Sequence, residues 1–209
     1  MKWGGILVLA AGVLLGEVKK AEGQVNFGIK AGVTNSMLYG SDAGDVASRG
    51  TVLGGAFFKF NSGGIFAIQP EVLLVQKGAT NYNGTWNVKQ EFSAEYLEIP
   101  LLLKLQIPLF ESIYPHLFAG PYGAYKLHHT YRAYQMDSDD PFGLRTFEAR
   151  TWDYGGVVGA GLDLQGDLIF VTGDVRYTFG LPSIDAGPGN WQLKNRGVSV
   201  MAGIGVRLF

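Results

Sequence analysis

Apolar side chains recur at every second residue along the stretch 197–208. Val198, Val200, Ala202, Ile204, Val206 and Leu208 share one parity, while Ser199, Gly203, Gly205 and Arg207 fall on the other. A period of two belongs to an extended strand, whose side chains point alternately to opposite sides. A strand with one unbroken apolar face and one bare or polar face suits a wall between lipid and a polar interior. A strand of this kind cannot be stable alone, because its unpaired backbone groups need neighbours. The pattern therefore has to repeat elsewhere in the chain, and it does.

Composition agrees with a wall of strands. Glycine, at 31 residues, and aromatics, at 13%, are abundant, which disfavours a helical bundle, and the charged share of 17% is low for a water-soluble domain. A net charge of −1 gives no electrostatic reason to expect nucleic acid as a partner. Cysteine is absent, so disulfides, thiolate metal sites and thiol catalysis are excluded. At the amino terminus Lys2 precedes an apolar run over 4–16 and a small-residue site at Ala21, Glu22 and Gly23. That order predicts a signal peptide over 1–23, cleaved after Gly23, and a mature domain over 24–209. The apolar run is shorter than the ~20 residues a spanning helix needs, so an exported membrane protein of this sequence must span by strands.

Eight strands are predicted: 25–37, 49–60, 64–80, 90–107, 113–132, two that meet at Gln165, Gly166 and Asp167, and the carboxyl-terminal strand. Each has the ~10 residues a tilted membrane strand requires. In the fourth, Leu97, Ile99, Leu101, Leu103 and Leu105 oppose Glu98, Lys104 and Gln106. Connections near Asn61, Glu111 and Gly166 are short, whereas 38–48, 81–89, 133–148 and 182–195 are long and rich in Gly, Asp, Asn and Pro. Short turns on one rim and long loops on the other are how outer-membrane barrels are built, with the short turns periplasmic. A final aromatic, here Phe209, is the ending expected of such a barrel. The fold class read from these features is all-β: a closed, antiparallel, up-and-down transmembrane β-barrel of eight strands.

Several longer stretches carry a resemblance to a known family. They are F-G-I-K-A-G-V from Phe27, I-Q-P-E-V-L-L-V-Q-K-G-A from Ile68, Y-L-E-I-P-L-L-L-K from Tyr96 and A-G-P-Y-G-A-Y-K-L from Ala119. D-Y-G-G-V-V-G-A-G-L-D from Asp153, D-V-R-Y-T-F-G-L from Asp174 and the closing strand follow in order. Together they make the chain similar to the PorT-like outer-membrane barrels of Bacteroidetes. The resemblance implies a small barrel in the outer membrane, and it implies a link to protein secretion or envelope assembly through the family's founding member. Members of that family often end with an aromatic directly after the arginine, whereas here Leu208 intervenes between Arg207 and Phe209.

The inward parity collects the first candidate site: Lys30, Glu71, Glu98, Lys104, Asp163, Asp174, Arg176 and Arg207. An eight-stranded barrel is filled by side chains, and charges buried there must pair, so these eight are expected to form a closed ionic network plugging the lumen. His116 and His128 share a parity but lie about 40 Å apart along a strand, and His128 and His129 point to opposite faces, so a shared metal ion is disfavoured. Serines 36, 41, 48, 93, 138 and 183 lie in or near loops, yet nothing in the sequence fixes one beside a base, as a rim-sited lipid-modifying enzyme would require. The run Asp137, Ser138, Asp139, Asp140 lacks the ligand spacing of a calcium loop and reads as a solvated loop tip. Tyr82, Trp86, Phe92, Tyr96, Tyr131, Tyr134, Trp152, Tyr154 and Trp191 are read as an interfacial girdle.

The function expected from these readings is a non-enzymatic integral outer-membrane barrel. It needs no cofactor, lies in outer-membrane lipid, and contacts other envelope proteins through its long loops or periplasmic rim. A small channel is the first alternative, disfavoured by the narrow bore. A rim-sited lipid hydrolase or acyltransferase is the second. A soluble barrel of lipocalin type is the third, and it would place the apolar faces inward and the charges outward.

Overall fold

A computed structural model of the chain describes residues 23–40, 46–83, 88–109, 111–135, 150–183 and 194–208. The expected signal segment therefore lies, except for Gly23, outside the described residues. Eight strands follow one another: β1 (Gln24–Tyr39), β2 (Val46–Asn61), β3 (Phe66–Asn83), β4 (Val88–Gln106), β5 (Ile113–Gln135), β6 (Trp152–Gln165), β7 (Ile169–Gly180) and β8 (Lys194–Arg207). Each pairs antiparallel with its neighbours in sequence, and β8 pairs back onto β1, from Asn26 opposite Arg207 to Tyr39 opposite Lys194. The sheet is closed, so no edge strand is left to template aggregation along the barrel wall.

Parity decides the two faces. Val33, Val52, Leu74, Ile99, Leu101, Leu117, Val175 and Val200 stand outward and are each half exposed or more. In water such a continuous apolar wall would be an aggregation surface, and in a bilayer it is the lipid contact. Lys30, Lys59, Glu71, Lys104, Asp163, Asp174 and Arg176 point the other way, into the lumen, which is the reverse of a lipocalin. At the short-turn rim, Gly63 has φ 75°, a conformation that suits glycine and closes β2 onto β3.

The strands continue farther than the sequence suggests at the long-loop rim. The connection expected over 38–48 shrinks to 40–45, and that over 81–89 shrinks to 84–87, because pairing runs to Asn83 opposite Val88. Strand β5, at 23 residues, outreaches β7, at 12. Backbone pairing is indifferent to side-chain polarity, so strands persist into polar sequence that composition alone assigns to loops.

One irregularity changes which side chains face where. Glu95 pairs with His128 but Tyr96 pairs with Lys126, so Leu127 is an extra residue in β5. A bulge of this kind turns the following side chains over. His128, expected on the lumenal face beside His116, is exposed on the outer face within 3.3 Å of Thr130.

Candidate functional site in the barrel lumen

The lumen holds charge at three levels. Nearest the short-turn rim, Asp163 of β6 accepts hydrogen bonds from Lys59 Nζ at 2.9 Å and Gln106 Nε2 at 3.0 Å. Its other oxygen faces Lys104 Nζ at 3.6 Å and His116 Nδ1 at 3.4 Å. Midway, Lys30 donates to Glu71 at 2.8 Å and to Asp174 at 2.6 Å, while Arg176 bridges the same two carboxylates at 2.8 and 3.1 Å. Gln69 adds a donor to Glu71 at 2.6 Å. His116 Nε2 lies 3.0 Å from Asp174, so its ring joins the first level to the second. Toward the long loops, Lys77 contacts Glu98 at 2.9 Å and Asp153 at 3.3 Å. Asp153 also accepts from Asn195 at 2.9 Å and from the Tyr122 hydroxyl at 3.2 Å.

Bare glycines make room for these groups. A β carbon on Gly205 would stand 2.4 Å from the ring of Phe170, and one on Gly159 would stand 2.4 Å from Phe118. Phe170 in turn lies 4.3 Å beneath Lys59 Nζ, and Phe118 lies 5.4 Å from the Arg176 guanidinium carbon. Each cation thus has carboxylates on one side and an aromatic face on another, which lowers the cost of holding it away from water. At the second level Gly161 leaves space for both His116 and Asp174, which a β carbon would approach to 2.5 and 2.7 Å.

Of the eight residues named from sequence, Lys30, Glu71, Asp174 and Arg176 meet in one cluster and Lys104 meets Asp163 in the next. Glu98 pairs with Lys77, not with those cations. Arg207 stands apart: it closes β8 beside Asn26 at the rim, is only partly buried, and makes no ion pair among the described residues. Sequence reasoning left Lys59, Lys77, Asp153 and His116 out of the network. Parity alone would have added all four, since Lys59 shares the inward face of β2 with Leu53 and Phe57, but its contact with Asp163 joins strands 104 residues apart in sequence.

Tyr96 departs from its expected place. It is buried in the lumen, 5.2 Å from Lys77 Nζ, and not in the girdle, because it shares the inward parity of Glu98. Trp152 and Tyr154 do face outward, 64% and 55% exposed. The side chains of Tyr82, Trp86, Phe92, Tyr131, Tyr134 and Trp191 lie outside the described residues, as does the acidic run at 137–140. Ser36 is buried and donates to the Gly78 carbonyl at 3.1 Å, and Ser93 accepts from Gln76 at 3.1 Å. Serines 41 and 138 lie outside the described residues. No group of three potential metal ligands occurs among the described residues.

The arrangement fills the bore. Five buried cations, Lys30, Lys59, Lys77, Lys104 and Arg176, face five buried carboxylates, Glu71, Glu98, Asp153, Asp163 and Asp174. Tyr96, Leu102, Phe118, Tyr122 and Val157 on one side, and Leu53, Leu73, Val75 and Met201 on the other, pack between the charged levels. A cavity of about 20 Å³ remains between Arg176, Lys77 and Glu98, room for about one water molecule. Chemically, the lumen is a neutralised plug.

Residues 19–186 match the family described as outer membrane protein beta-barrel domain, and the chain belongs to it. No curated protein matches the chain in sequence. Among solved structures, neisserial surface protein A shares 11% identity over 87% of this chain and 97% of its own, with a TM-score of 0.52. Ail, the attachment invasion locus protein of Yersinia pestis, shares 11% identity over 88% and 98%, with a TM-score of 0.44. At these identities the likeness concerns the fold alone.

Proposed function

We propose that this outer-membrane β-barrel is a non-enzymatic anchor whose long loops contact other envelope proteins, and that residues 1–23 are a cleaved export signal. The observation that carries the reading is the filled lumen. A barrel whose interior is occupied by the Lys30–Glu71–Arg176–Asp174 cluster offers no path for solute, which leaves the rims and the outer wall as working surfaces. The connections from β5 to β6 and from β7 to β8 are far longer than the two to five residues that suffice to close a hairpin. The stretches shared with the PorT-like barrels of Bacteroidetes, among them I-Q-P-E-V-L-L-V-Q-K-G-A from Ile68, support a role in protein secretion or envelope assembly.

The test is to replace 136–149 and 184–193 by tight turns and to recover the protein from gently solubilised outer membrane after cross-linking. Barrel assembly should persist while co-purifying envelope proteins are lost. Recovery of the same partners with the shortened protein would overturn the loop assignment.

A further inference from the structure

On the outer wall, β8 changes character abruptly. From Val206 upward its outward positions are Ile204, Ala202, Val200 and Val198, and then Arg196 and Lys194. Arg196 pairs in register with Met37 of β1 and Phe179 of β7, and Lys194 pairs with Tyr39. The Arg196 guanidinium carbon lies 5.1 Å from the centre of the Tyr39 ring, which fixes its direction along the wall.

Height follows from strand geometry. The apolar row from Val206 to Val198 runs about 27 Å along the strand, or about 21 Å along the membrane normal at a tilt near 40°. The next two outward positions therefore emerge at the top of the apolar band, where lipid headgroups begin. Among the described residues of their sector no carboxylate competes: β1, β2 and β8 contain no acidic residue, and Asp174, the one acid on β7, points into the lumen. On the outward faces of β1, β7 and β8, Lys194 and Arg196 are the only charges.

We infer that Lys194 and Arg196 form a binding site for the phosphate of a phosphorylated lipid in the outer leaflet. Two residues apart on one strand, their side chains are spaced about 7 Å and point the same way, so both reach one headgroup. The Arg196 guanidinium supplies paired donors to phosphate oxygens and the Lys194 ammonium a mobile charge. Phe179 and Tyr39 flank them, giving the first acyl carbons an aromatic rest at the interface. The inference rests on the barrel standing in the membrane with its long loops outward.

The experiment uses the full mature chain folded into phosphatidylcholine nanodiscs containing diphosphoryl lipid A, with retained lipid counted by native mass spectrometry. Heat-modifiable gel migration reports insertion separately, so a failure to insert is distinguishable from a failure to bind. The parent should retain diphosphoryl lipid A in preference to the dephosphorylated form, and retention should fall as salt rises. Each charge removed should weaken retention about fivefold, so K194Q/R196Q should lose most of it. R196K, which keeps the charge and loses the paired donors, should fall between. Equal retention by the parent and K194Q/R196Q proteins, or no preference for the phosphorylated lipid, would overturn the site. Displacement by millimolar inorganic phosphate would overturn it as well, since that result marks a site for a free anion. If K194Q/R196Q does not insert, R196K and the salt dependence of the parent decide.

Discussion

The ring of Phe57 occupies the place where a side chain on Gly28 would begin: a β carbon there would stand 2.5 Å from it. The ring cannot simply swing aside. Lys30 Nζ lies 4.8 Å above it and Phe170 lies edge-on at 6.0 Å, so its position is tied to the middle level of the lumen charges. A glycine on β1 thereby helps to place the cation that binds Glu71 and Asp174.

Replacing Gly28 by Val should therefore cost about 1–3 kcal/mol, the usual penalty for overpacking a filled interior. Urea unfolding of the protein in lipid vesicles measures this. A variant as stable as the parent would show that Phe57 has room to move.

Glu71 is held by two cations at once, Lys30 and Arg176. Glu71→Gln should destabilise the barrel by about 3–5 kcal/mol, because it leaves buried positive charge without a partner. Adding Lys30→Met to that variant should restore part of the loss, since the remaining cation, Arg176, keeps Asp174. A double-mutant cycle with simply additive losses would mean that the two side chains are not coupled.

Leu101 is 51% exposed on the outer wall, while its neighbour Leu102 is buried in the lumen. Leu101→Arg should cost about 2–4 kcal/mol in a bilayer, the price of a cation near the midplane. Folding of that variant into vesicles with parental stability would place this face of β4 away from the acyl chains.

Much of this wall was readable before any coordinates. Alternation identified the eight strands and the outward rows of β4 and β8, because a buried–exposed period of two survives wherever one face meets lipid. It failed where backbone, not side chains, sets the structure. The extra residue Leu127 turned His128 outward, and no local pattern announces a bulge of that kind. Tyr96 was legible but misassigned, since an aromatic near a rim resembles a girdle until its parity with Glu98 is counted. The ionic network was legible only as a list. Lys30 and Asp174 are 144 residues apart, and which lumenal cation meets which carboxylate depends on the stagger of the closed sheet.

The filled lumen is tested most directly by current through a planar bilayer containing the folded protein. With Lys30, Glu71, Asp174 and Arg176 closing the bore, the expected trace is baseline, without a steady open state, at any moderate voltage. A stable conductance of the size a porin gives would contradict the plug, and with it the assignment of this barrel as an anchor.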